Sequence, residues 1–106
     1  MNAAHYTYRV IWSAEDQEYV GLCAEFPGLS YLDVHHIAAL EGVVGTVREV
    51  ITEMAESGET IPVPLTHKPY SGKFQVRMPP EQHRLLAIRA AEEGVSLNRY
   101  VSSRLT

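Results

Sequence analysis

Lys73, Gln75 and Arg77 take every second position of SGKFQVRMPP, with Phe74, Val76 and Met78 alternating against them. Successive side chains of a strand point to opposite faces. The spacing therefore predicts one face of cations and an amide, and one wholly apolar face. The polar set suits nucleic-acid bases: in the major groove, arginine and lysine reach guanine O6 and N7, and glutamine bonds adenine in two places. Other chemistry is less well served. Asp16, Glu25 and Asp33 are the imaginable Mg²⁺ ligands of a phosphodiester-cleaving site, but nothing in their spacing demands convergence. A solvated acidic surface complementary to a basic partner is the better account. His35 and His36 are adjacent and point apart, while His5, His67 and His83 are scattered, so no metal set is completed. Cys23 is the single cysteine, set in the apolar alternation VGLCA, and reads as a buried structural thiol. No catalytic residue, metal or cofactor is expected.

The charge distribution separates the chain into two parts. Residues 1–65 hold two cations against ten carboxylates, a balance of −8, and residues 66–106 hold seven against three, a balance of +4. The total of −4 over 106 residues hides this split. It suggests two modules with different partners, the basic one a nucleic-acid candidate. No apolar run approaches the roughly 18 residues of a membrane span, and MNAAHYTYRV lacks a leader pattern. With one cysteine there is no disulfide framework. The expectation is a cytoplasmic protein without a membrane segment.

Elements must position these side chains. HYTYRVIWS alternates aromatic and β-branched residues on one face and predicts a strand. AEDQ is a polar turn, EYVGLCAEF the second arm of a hairpin, and LSYLD a short third strand. Ile37, Leu40, Val44, Val47, Ile51 and Met54 recur at helical spacing and predict a long helix with that stripe inward. Gly42 and Gly45 lie inside it, each costing about 1 kcal/mol relative to alanine, so they imply close approach to the sheet. Gly58 suits a left-handed cap. ETIPVPLTHKPYSG, with three alternately spaced prolines, reads as a stiff extended linker. Boundaries follow at 1–59, 60–71 and 72–106. In the last module a strand precedes Pro79-Pro80, a helix runs to Gly94, and Ser96 caps a second helix, LNRYVSSRL.

One strand and two helices cannot bury a sufficient core alone. Antiparallel pairing with a second copy through Phe74, Val76 and Met78 would complete one and display Lys73, Gln75 and Arg77 twice on a ribbon. Such a ribbon fits the major groove. The order strand, proline, helix, EEGVSLNRYV, helix resembles the ribbon-helix-helix DNA-binding proteins. That resemblance implies phosphate binding by Ser96, Leu97, Asn98 and Arg99 at the start of the last helix, in keeping with anion binding at helix N-termini. Arg104 reads as a solvent-facing helix charge. Over nearly its whole length, with FPGLSYL, SGETIPVPL and YSGKFQVRMPPEQHRLLAIRAAEEGVSLNRYV, the chain resembles a HicB-family antitoxin. The resemblance implies an α+β fold: an N-terminal βββα module like a truncated ribonuclease H, and a C-terminal ribbon-helix-helix (βαα) unit that dimerises through its strand. It implies a HicA-like mRNA interferase toxin and operator DNA as partners, a homodimer with a dimer of dimers open to it, and no enzymatic activity. The long helix begins with Val34-His35-His36-Ile37 where the family often has Thr/Ser-Pro-Glu-Glu, so its usual N-cap chemistry is missing. Two alternatives remain open: a ribbon-helix-helix regulator with a ligand-sensing or oligomerising N-terminal module, and the Mg²⁺-dependent nuclease.

Overall fold

The computed structural model describes residues 1–105, which divide into two compact units, 1–70 and 71–105. The first unit opens with a 3-10 turn, Ala3–His5, and continues with three antiparallel strands in the order β1 (Tyr8–Ser13), β2 (Glu18–Cys23) and β3 (Ser30–Asp33). In the register, Val10 lies opposite Gly21 and Gly21 opposite Tyr31. Helix α1 (His36–Ser57) then covers one face of the sheet. It ends as expected, with Gly58 at φ 75° and its N–H on the carbonyls of Met54 and Ala55. At its start, His35 at the N-cap makes no side-chain cap bond.

The buried stripe of α1 differs from the expected one. Ala39, Val43, Val47 and Ile51 are buried, whereas Ile37 and Leu40 are exposed and Val44 is half-buried. The cause is Gly21. A Cβ there would fall 2.5 Å from the Ala39 carbonyl oxygen and 2.8 Å from Val43 Cγ1. The helix backbone sits directly on this glycine, so its smallest face points inward. Gly42 gives room to the Tyr31 ring, while Gly45 borders open space. Of the two helix glycines, one serves close approach.

The core continues through Ala3, Tyr6, Cys23, Phe26, Val47 and Ile51, with Tyr6 and Phe26 edge to face at 5.3 Å. Burial pushes the Cys23 thiol above its ordinary value of 9.0, consistent with a structural thiol. Burial, then the neighbouring Cys23 and Glu25, raise the Tyr8 phenol to about 12, and it donates to the Ala3 carbonyl at 2.6 Å.

The proline-rich stretch is fastened to the first unit rather than left free. Ile61 packs on the core and Pro64 is fully buried. Tyr6 Oη donates to the Pro62 carbonyl at 2.6 Å, and Thr66 Oγ1 to the His5 carbonyl at 3.3 Å. The rings of His5 and His67 meet at 4.9 Å. Glu25 is the latch. Its carboxylate accepts from the N–H of Thr7 at 2.9 Å, the hydroxyl of Thr7 at 3.1 Å and the N–H of Leu65 at 2.9 Å. Burial alone would raise the Glu25 pKa; the N–H donors of Leu65 and Thr7 outweigh it and hold the carboxyl below its ordinary 4.5. A carboxylate with a lowered folded pKa stabilises the protein above its unfolded pKa, and that stability is lost as pH falls through the folded value. Glu25→Gln should therefore melt at a lower temperature at pH 7, and the gap from wild type should close as the pH drops below about 4.5. A gap unchanged across that range in thermal scans would remove the latch from the account.

The second unit contains α2 (Pro80–Glu92) and α3 (Leu97–Arg104). Pro80 occupies the first turn of α2. The helix closes on Gly94 at φ 69°, with Gly94 N–H on the Ala91 carbonyl and Val95 N–H on that of Ala90. Ser96 Oγ then caps α3 by accepting from the Arg99 N–H at 3.1 Å. Ala90 and Tyr100 are buried between the helices, and Arg104 lies over the Tyr100 ring at 4.9 Å while pairing with Glu93 at 3.2 Å. Arg104 is thus engaged within the unit.

Candidate nucleic-acid and dimer interface

Residues 73–79 run without turn or bend into α2, and no strand is formed there. The physical reason is plain: a strand is held by a ladder, and in a single chain this segment has no second strand beside it. The alternation itself is preserved. Lys73, Gln75 and Arg77 are exposed. Their neighbours Phe74 and Val76 are also exposed, by 76% and 62%, and Met78 is half-buried. Exposure on both sides of one segment is unusual for large apolar groups grouped so closely.

The rest of the unit repeats the message. Leu85, Ile88 and Leu105 are exposed, and Ala90 and Tyr100 are the buried apolar residues of the helices. Two grooves border the segment. One, of about 570 Å³, is lined by Val76, Met78, Leu86, Leu97 and Val101 among others. The other, of about 430 Å³, takes in Phe74, Val76, Val101 and Leu105. Val76 and Val101 border both. The second unit thus leaves large apolar side chains open to solvent along both grooves.

At the start of α3 the four residues named for phosphate binding do not contribute alike. The Ser96 hydroxyl and the Arg99 N–H are spent on each other. The Leu97 and Asn98 N–H groups have no hydrogen-bond partner among the described residues, as the first turn of a helix leaves them. Those two are the available anion donors, with the Arg99 side chain exposed beside them.

The carboxylates of the first unit are dispersed. Asp16 accepts from the Ser13 hydroxyl at 2.8 Å within the hairpin turn. Glu25 is the latch, and Asp33 accepts from the His35 N–H at 2.8 Å. Among the described residues, no group of three or more His, Cys, Asp or Glu side chains is arranged to hold a metal. None of the described helices is long and apolar enough to cross a membrane. The Glu25 latch and the Gly21 contact escaped the sequence reading, because each links positions far apart in the chain through one hydrogen-bonded carboxylate or one missing side chain.

The described residues form an α+β fold with a three-stranded antiparallel sheet and three α-helices, the second unit exposing apolar side chains beside a cationic segment. Residues 55–105, which take in all of α2 and α3, match the model of the HicB family. The match covers just under half of the chain. Neither curated proteins nor solved structures yield a match.

Proposed function

We propose that this chain is the antitoxin of a HicA/HicB-type pair, masking an mRNA interferase with its first unit and repressing its own operon through its second. The observation that carries the reading is the incomplete second unit. Phe74 and Val76 are exposed on a ladderless segment, in alternation with Lys73, Gln75 and Arg77. A second copy laid antiparallel gives both segments a ladder and fills both grooves with apolar side chains. The product is a two-stranded ribbon backed by helices, with its six polar side chains turned to the major groove. Phosphates meet the N–H groups of Leu97 and Asn98, which set position, while the ribbon reads bases. The first unit, whose βββα order agrees with a truncated ribonuclease H module, carries three cations against ten carboxylates over residues 1–70. An acidic unit of this kind suits occlusion of a basic, RNA-binding toxin. Nothing in this reading requires chemistry by the chain itself.

Arg77→Ala is the direct test. A good base contact contributes about 1–3 kcal/mol, and the dimer loses two of them. Binding to the DNA upstream of its gene should fall by more than about tenfold in a gel shift, while toxin neutralisation persists. Wild-type affinity in the variant would overturn the ribbon assignment.

A further inference from the structure

The first unit has a second unfinished feature, at the outer edge of β1. In an antiparallel pair, hydrogen-bonded and non-hydrogen-bonded residue pairs alternate. The Thr7 carbonyl accepts from the Ala24 N–H, which fixes the phase. With the observed register, Arg9, Ile11 and Ser13 bond to β2, and the backbone groups of Val10 and Trp12 point outward. Among the described residues, no hydrogen bond reaches those outward groups. Sheets usually blunt such edges with short strands, prolines, bulges or charges. The other free edge, β3, has four residues; β1 has six, without proline.

An apolar wall stands above this edge. On α1, Gly42 faces Tyr31 of β3, while Ala39 and Val43 face Gly21 of β2. A step of about 100° per residue therefore turns Leu40, Val44 and Ile37 to the opposite flank, on the β1 side. Ile37 is 61% exposed and Trp12 is 51% exposed. Trp12 meets Tyr19 edge to face at 5.1 Å, and Tyr19 meets His36 at 5.0 Å, so an aromatic row closes one end of the trough. The surrounding charge is mainly acidic, with Arg9 on β1 itself and Arg48 on α1 as the two cations. Residues 10–47 contain six carboxylates and no lysine or arginine, with Glu15, Asp16 and Glu41 exposed.

We propose that the outer edge of β1 takes up an extended strand from a cationic protein, whose apolar side chains pack on Trp12, Leu40 and Ile37. Main-chain hydrogen bonds would supply affinity, and the wall and acidic rim would supply specificity. The proposal rests on the antitoxin reading, with the toxin as the strand donor.

The probe is a catalytically inactive HicA-type toxin, titrated against the full-length chain. Val10→Pro removes an outward N–H and leaves the bonds to β2 intact, because proline is tolerated on an edge. Leu40→Lys sets a cation on the wall, at an exposed position where the fold has room. Leu32→Lys, on the sheet face away from α1, is the control. Val10→Pro and Leu40→Lys should each weaken the complex by about tenfold or more, with Leu32→Lys near wild type and all three unchanged in operator binding. Amide exchange at Val10 and Trp12 should slow in the wild-type complex alone. Should Val10→Pro melt early, Leu40→Lys decides the matter. Undiminished binding in Leu40→Lys, a loss confined to Leu32→Lys, or amides already protected in the chain by itself would overturn the proposal. Absence of any wild-type complex would instead overturn the antitoxin reading beneath it.

Discussion

Val76→Asp should leave a folded but monomeric chain that no longer retards its operator. In the single chain Val76 is 62% exposed, so a carboxylate there meets water and costs little. In the proposed paired ribbon the same carboxylate would enter the apolar centre, with its symmetry mate nearby. An unpaired charge moved out of water costs several kcal/mol, so the dimer dissociation constant should rise about a thousandfold or more. Sedimentation reads the mass directly. Gln75→Asp separates the two faces of one segment: it should remain dimeric and still lose DNA. A Val76→Asp protein that sediments as a dimer would show that the copies associate elsewhere.

Gly21→Ala should be the most damaging small change in the first unit. The added methyl arrives 2.5 Å from the Ala39 carbonyl oxygen and within 2.9 Å of Val43 Cβ. Both belong to the helix body, which cannot swing aside as a long side chain can. Forcing a methyl into such a contact costs about 1–3 kcal/mol. In a unit of this size each kcal/mol lowers the melting temperature by about 4–8 °C. Gly45→Ala is the counterpart, because no atom lies within 4 Å of its Cβ position. There the alanine should stabilise the helix by up to about 1 kcal/mol. Calorimetry of the two variants should give shifts of opposite sign. Equal shifts would mean that helix propensity, not the contact with the sheet, governs both glycines.

Local features were the legible ones. The hairpin, the third strand, the Gly58 cap, Pro80 in the first turn of α2 and the Ser96 cap all follow from residue types within a few positions of one another. The stripe on α1 was misplaced by the usual preference for large residues. Ile37 and Leu40 outrank Ala39 on any hydrophobic scale, yet Gly21, some twenty positions earlier, selects the small face. The stretch ETIPVPLTHKPYSG reads as a stiff extended linker because prolines make extended chain. What ties it down is a carboxylate forty positions earlier in the chain, which no local pattern reveals. The alternation of Lys73, Gln75 and Arg77 was legible for a different reason: it is a property of the segment itself. Whether that segment becomes a strand depends on a ladder that the single chain does not supply.

The ladderless run 73–79 also bears on how long the protein lasts. Proteases bind their substrates as extended chain, and a segment already extended and without a backbone ladder needs no local unfolding before cleavage. Pairing with a second copy would withdraw it. Survival would then depend on concentration: dilute chains are cut as monomers, and abundant ones shelter each other. A half-life that lengthens as the protein accumulates makes its supply self-reinforcing at high expression and quick to collapse once synthesis stops.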